Sequence, residues 1–281
     1  MSVACGVYGY SITRSIELDN VRILPRTTDY KTAKNLARDL DSYQLTAVLI
    51  GHCINEKDLF DIEAVLSFME QLDVIVSKPI ELADRNPFAV FPEKITAHKR
   101  NCGGGVVVGD DAFFPTSRSE FSIKALGLLQ DKEFCEKTGF RTLLFKCIET
   151  FRQRKPFVEI SYFLLFSGLE SFARSFLDER DTKNAPKVIF KLLNFYGFNV
   201  REDNPKDLKR SVSSYVYVRN ALFHNGEVTS KKDINQREVE FDVFEYLPPL
   251  SRLVPLVIMK AVGFDDGSVN WDSWIDRLPF Q

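Results

Sequence analysis

Apolar positions along this chain follow two different spacings. Up to about residue 115 they fall in short β-prone runs, Val21-Arg22-Ile23-Leu24, Leu45-Thr46-Ala47-Val48-Leu49-Ile50, Val74-Ile75-Val76 and Gly105-Val106-Val107-Val108. These read as strands, and residues 29–40 and 57–71 between them read as helices. Asn101-Cys102-Gly103-Gly104-Gly105 reads as a turn into the last strand, which Gly109-Asp110-Asp111 closes. After residue 120 the spacing becomes helical, with Phe157, Ile160, Phe163, Leu164, Leu169, Phe172, Phe176 and Leu177 forming a broad stripe on one long helix. Pro186 and Pro205 fit the first turns of later helices. Asn204 reads as the N-cap of a helix running to about Phe223, and Asn225-Gly226 stops it. A last apolar segment, 241–262, carries Pro248, Pro249 and Pro255 and is expected to be broken or kinked. The pattern predicts an α+β domain over 1–120 followed by an all-α bundle over 121–281, with short connections that favour antiparallel neighbours.

Composition narrows the function. A chain of 281 residues with 44% hydrophobic residues can bury a sizeable core. The 37 Lys and Arg against 39 Asp and Glu give a formal charge of -2, so no global basic field holds a polyanion, and any nucleic-acid contact must be local. Cys5, Cys53, Cys102, Cys135 and Cys147 are odd in number and lack CxxC pairing, which suits a reducing compartment. The first ten residues lack a basic n-region, and no apolar run is long enough for a bilayer. The expectation is a cytoplasmic protein with no membrane segment.

The segment Tyr215-Val216-Tyr217-Val218-Arg219-Asn220-Ala221-Leu222-Phe223-His224-Asn225-Gly226 carries the most informative chemistry. Its Arg-polar-x3-His spacing near a helix end resembles the signature of the HEPN (higher eukaryotes and prokaryotes nucleotide-binding) family. The earlier helix with Phe166-Ser167-Gly168-Leu169-Glu170-Ser171-Phe172 is similar to the acidic-residue helix that precedes the signature in those bundles. Together they cover the C-terminal half, and the whole arrangement resembles bacterial proteins in which an N-terminal module precedes an Apea-like HEPN domain. The resemblance implies a HEPN helical bundle and a metal-independent endoribonuclease without a cofactor, leaving 2′,3′-cyclic phosphate and 5′-hydroxyl ends. It also implies a homodimer whose cleft takes Arg and His from each copy, and a toxin or anti-phage defence effector. In that role residues 1–120 sense a trigger or regulatory protein.

The residue types suit that chemistry on their own account. Attack by an internal 2′-hydroxyl needs a proton acceptor, a donor for the leaving 5′-oxygen, and positive charge beside the transition state. Imidazole, the side chain that ordinarily titrates nearest neutrality, supplies the first two through His224. The planar fork of Arg219 suits two non-bridging phosphate oxygens. Five α-helical steps turn Arg219 and His224 about 140° apart, whereas Asn220 and His224 lie within about 40°. Asn220 is therefore expected to orient the imidazole or touch substrate, and Glu170 to hold Arg219 or His224 across the bundle. Lys206, Lys209 and Arg210 on the same helix are expected to bind the RNA backbone, with Arg152, Arg154 and Lys155 as a second basic cluster.

Other readings compete with this one. The Arg/His cleft can serve a non-catalytic RNA- or nucleotide-binding dimerisation module, or an accessory to a separate nucleotidyl transferase. His52-Cys53 and His98-x3-Cys102 supply zinc-type ligands at spacings that do not form a usual chelating knuckle. The triple glycine 103–105 lacks a following Gly-Lys-Ser/Thr and reads as a turn, with Lys99-Arg100 solvated beside it. Tyr215 and Tyr217 suit base stacking or packing, packing being expected of one of them. Trp271 and Trp274 read as an anchor against the bundle.

Overall fold

The computed structural model describes residues 2–280 except Cys53, Asp84, His98, Asn101, Cys102 and Gly104, so three of the four zinc-type candidates and part of the triple glycine lie outside the described residues. The chain forms two compact units, Met1–Gln130 with Phe151–Lys155, and Asp131–Thr150 with Pro156–Gln281. It is mixed α+β, sheet-rich first and helical afterwards. No helix among the described residues is long and apolar enough to cross a membrane.

The first unit is built on an antiparallel sheet. Its central pair is β1 (Val3–Tyr8) and β4 (Ser42–Gly51), in register from Val3 opposite Gly51 to Val7 opposite Ala47. Outside β4 lies β3 (Val21–Pro25), then β2 (Ile16–Glu17); outside β1 lie β5 (Ile75–Val76) and β6 (Ile80–Glu81), and β7 (Lys94–Thr96) pairs with the start of β4. The hydropathy pattern marks β3, β4 and β5 but not β1. A strand covered on both faces reads as a continuous apolar run with no alternation, and β1 is buried from Ala4 to Tyr8. One face packs Ala4, Tyr8, Leu45 and Val48 with Tyr43, Leu82 and Phe91. Gly6 leaves room there, because an added Cβ would come 2.8 Å from the Tyr8 ring.

Helices α1 (Tyr30–Ala37) and α2 (Glu56–Glu70) begin at Asp29 and Asn55, whose side chains accept the N–H of Thr32 and Asp58. The expected strand at 105–108 does not form. The N–H groups of Val107 and Val108 donate instead to the Met69 carbonyl at the end of α2, which closes that helix and leaves no ladder. Helix α3 (Ser117–Gln130) belongs to this unit, beyond the boundary at 120 that the change of texture suggests. Its Phe121 ring stacks on Phe68 at 5.4 Å, and its Arg118 is fully buried. Arg118 donates to Glu70 at 2.6 Å, to the Gly109 carbonyl at 3.1 Å and to the Ser11 carbonyl, while Asp111 accepts from Thr13 and Arg14. One cation thus gathers two loops and the end of α2.

In the second unit, α6 (Val158–Phe176) packs against α4 (Lys132–Thr138), α7 (Ala185–Phe195), α8 (Val212–Asn220) and α9 (Val243–Val262). Helix α5 (Phe140–Phe151) lies beside it through Phe140, whose ring meets Phe172 at 6.4 Å. The buried face of α6 is Ser161, Tyr162, Leu165, Phe166, Leu169, Phe172 and Ala173. Phe157, Ile160 and Phe163, expected in the core stripe, are instead exposed at its N-terminal half. Pro186 lies in the first turn of α7, as expected, and Asn184 caps that helix. Three features depart from the sequence reading. Helix α8 starts at Val212 rather than at Pro205, because Arg201 exchanges backbone hydrogen bonds with Arg210 and Val212 and holds the preceding segment off the helix. Helix α9 is not broken at its prolines; burial of Pro249, Leu250, Leu253, Val254, Pro255 and Val257 outweighs the lost backbone bonds. The region is also not all-α, since β8 (Thr229–Ile234) and β9 (Arg237–Asp242) form a hairpin between α8 and α9. Its tip, Asn235-Gln236, has φ of 55° and 63°, the primed-turn conformation, without the Asn-Gly pair that usually signals it. Trp274 in α10 (Ser273–Asp276) is buried against this unit, and the Lys260 ammonium sits 3.7 Å over the Trp271 ring, as the anchor reading requires.

Removing one partner of the buried Arg118–Glu70 pair strands the other charge. Arg118→Met is therefore expected to cost about 3–5 kcal/mol, more than Arg118→Met with Glu70→Leu. Denaturant unfolding of both variants checks this, and equal losses would show that packing, not charge, sets the cost.

Candidate functional site

Helix α8 delivers Arg219 to one end of the second unit, in a turn that its own sequence and α6 shape together. Tyr215 is buried edge-on to Tyr246 at 5.0 Å, and Tyr217 packs edge-on to Phe241 at 5.5 Å, so both tyrosines are committed to packing. The Tyr162 hydroxyl of α6 donates to the Tyr215 carbonyl at 2.8 Å. These contacts fix the rotation of α8 and direct Arg219 toward α6.

There the Arg219 guanidinium donates through Nη2 to Glu170 Oε2 at 2.9 Å and through Nη1 to Asn220 Oδ1 at 2.9 Å. It stands over the Phe166 ring at 5.3 Å and the Phe223 ring at 5.9 Å. The expected link between Glu170 and Arg219 is present. Asn220 turns its amide oxygen to Arg219, not to the imidazole. The other oxygen of Glu170 accepts from Arg174 at 2.7 Å and 3.1 Å, and Arg174 also donates to the Thr182 carbonyl. Arg174 was not singled out in the sequence, although its place four residues after Glu170 is the spacing of a helical ion pair. Two guanidinium groups on one carboxylate leave the cluster with a net positive charge.

His224 lies in a π-helical turn, Ala221–Asn225, that continues α8 and ends at Gly226 with φ of 69°. A π turn closes i to i+5 bonds and takes more residues per turn than the α-helix, so each step rotates less than about 100°. The divergence between Arg219 and His224 thereby falls below the 140° expected of an α-helix. His224 is exposed and makes no side-chain hydrogen bond among the described residues, leaving both ring nitrogens free for a proton or a ligand.

The basic residues expected to bind substrate lie elsewhere. Lys206, Lys209 and Arg210 precede α8, the last two in a 3₁₀ turn, Leu208–Arg210. Arg210 lies nine positions before Arg219, and α8 rises roughly 10 Å from Val212 to Arg219. Lys206 and Lys209 are exposed, but Arg210 is held by Asp207 at 3.3 Å, by Asp272 at 3.6 Å and by the Asn199 carbonyl. Arg152 is likewise committed, to Glu63, Ser67 and Asp73 of the first unit. Burial pushes the thiols of Cys5 and Cys147 up to about 12, which keeps them protonated and unfit as nucleophiles. The aromatic pair Phe163 and Phe223 was not anticipated as part of the site; its rings meet at 4.8 Å.

The chain matches no protein-family model, no curated protein and no solved structure.

Glu170 is the joint of the cluster, and its removal leaves two partly buried cations without their counter-charge. Glu170→Ala is expected to lower stability by about 2–3 kcal/mol, seen as a lower denaturant midpoint at unchanged slope. A loss of only a few tenths would show that water replaces the carboxylate.

Proposed function

We propose that the chain is a metal-independent endoribonuclease of the HEPN type that acts as a homodimer. The observation that carries this reading is a positive cluster at one helix end, Arg219 fixed by Glu170 and Asn220, with an exposed, unengaged imidazole five residues on. Arg219 uses two of its five N–H donors on protein side chains and buries a third, Nε, so the remaining Nη hydrogens would meet phosphate oxygens. In the proposed reaction the 2′-oxygen of one nucleotide forms a bond to the adjacent phosphorus as the bond to the 5′-oxygen breaks. One His224 takes the 2′-hydroxyl proton, and a second, from the partner copy, protonates the leaving 5′-oxygen. The products are a 2′,3′-cyclic phosphate and a 5′-hydroxyl. Arg219 stabilises the charge that develops on the non-bridging oxygens.

The second copy is assigned to the start of α6, around Phe157 and Ile160 and short of Phe163. Phe157 is 62% exposed and Ile160 50%, apolar side chains at the start of one helix that a second copy would cover. A contact there would set two Arg219–His224 ends side by side. In this reading the first unit restrains or triggers the nuclease, and the chain acts as a toxin or defence effector.

Arg219→Ala and His224→Ala are each expected to lower RNA cleavage by about 10²- to 10⁴-fold in proteins that stay folded. Cleavage should persist in excess chelator, and mapping of product ends should find cyclic phosphate. Unchanged cleavage in either variant removes that residue from the mechanism. RNA bound tightly but left intact by wild type would favour a binding module instead. Ile160→Asp is expected to yield a monomer by sedimentation, with cleavage lost.

A further inference from the structure

The aromatic pair beside Arg219 has no structural task that requires its exposure. Phe163, on the last exposed turn of the apolar half of α6, leaves 47% of its surface in solvent. Phe223 comes from the π turn, between Leu222 and His224, and meets it at 4.8 Å with the rings tilted by 49°. The Phe223 ring also carries the Arg219 guanidinium 5.9 Å from its centre. A half-exposed aromatic ring, its tilted partner with a cation over it, and an imidazole on the adjoining residue therefore occupy one small surface. A phosphodiester held by Arg219 places its own base within reach of the rings, because sugar and base hang from the same phosphate.

We infer that Phe163 and Phe223 form a stacking platform for an unpaired nucleobase next to the scissile phosphate, which makes single-stranded RNA the substrate. The inference rests on the nuclease reading above and deepens it. Two physical reasons favour a single strand over a duplex. Bases in a duplex are stacked on one another and offer no free π-face, whereas a splayed base stacks readily on an aromatic side chain. In-line attack also needs the 2′-oxygen, phosphorus and 5′-oxygen to align, a rotation that a paired A-form backbone resists and an unpaired one allows. The cation over Phe223 complements the backbone while the rings complement the base, a combination suited to single strands of any sequence.

The test uses full-length His224→Ala protein, so that binding is read without cleavage, and a fluorescently labelled oligoribonucleotide with its perfectly paired duplex. Single-stranded RNA is expected to bind at least about tenfold more tightly than duplex. Phe163→Ala and Phe223→Ala are each expected to weaken it by about 5- to 150-fold, with Phe223→Trp restoring affinity. Replacing the contacted nucleotide by an abasic one should weaken binding of the His224→Ala protein by a similar factor. It should also abolish the further effect of Phe223→Ala, a coupling that a merely structural phenylalanine would not show. Affinity insensitive to both phenylalanines and to abasic sites overturns the platform, and if Arg219 and His224 still govern cleavage the nuclease reading survives that failure. If Phe163→Ala changes the monomer–dimer equilibrium and not base-dependent binding, the pair is a contact between copies and the inference is wrong. Base-dependent binding in a wild-type protein that never cleaves would retain the platform and remove the nuclease.

Discussion

A single carboxylate, Glu170, fixes the geometry on which the site depends. Each of its oxygens holds a different arginine, Arg219 from α8 and Arg174 from its own helix, and Arg174 is tied in turn to the Thr182 carbonyl. Charge-assisted hydrogen bonds of this kind are directional, so they set the rotation of α6 against α8 and not merely their closeness. Tyr162, two turns earlier on α6, supplies the second fixed point through the Tyr215 carbonyl. With two points pinned, the end of α8 cannot swing, and the π turn that follows starts from a defined direction. The hairpin behind it is anchored by Phe241, fully buried against Tyr217 and Tyr246. Among the described residues no side-chain hydrogen bond holds His224.

How much of this was legible in the sequence depended on whether the cause was local. Helix caps are local, and Asp29, Asn55 and Asn184 each bond a backbone N–H three residues on, but the one cap read from the sequence, Asn204, bonds Asp207 in a turn that α8 does not continue. Arg219, Asn220 and His224 were legible as a spacing, and Glu170 as a polar residue on a mostly apolar helix. The winding between Arg219 and His224 was not, because no residue type specifies a π turn. The start of α8 depended on a backbone exchange between Arg201 and the segment after it, a tertiary contact that leaves no trace in periodicity. Likewise β1 carried no alternation because both its faces are covered, and the β8–β9 hairpin carried little because Lys231, Lys232, Glu238 and Glu240 hold both strands in solvent.

The stripe on α6 shows the opposite error, a pattern that was real but wider than the core. Helical spacing places Phe157, Ile160 and Phe163 close to the same face as Leu164 and Ser167, and apolar character alone does not tell a residue covered by its own fold from one left open. Tyr162 and Phe166, stacked on each other at 6.1 Å, fill the core instead. Ten exposed large hydrophobic side chains occur among the described residues, and three of them fall at the cap and first two turns of α6, the last, Phe163, meeting Phe223 beside the positive cluster.

Arg118 and Arg219 show what separates an arginine that builds from one that is available. Arg118 is 1% exposed, and its Nε, Nη1 and Nη2 each meet an acceptor, Gly109, Ser11 and Glu70. Burial of a cation is tolerated only when its donors are met, so every contact of Arg118 is accounted for by folding. Arg219 is held at two donors, its Nε has no acceptor among the described residues, and 18% of its side chain stays exposed. Folding alone would favour either a more complete cage or full release into water. The Nε is buried, so in the proposed nuclease it is the Nη edge, already fixed in direction by Glu170 and Asn220, that would meet the phosphate.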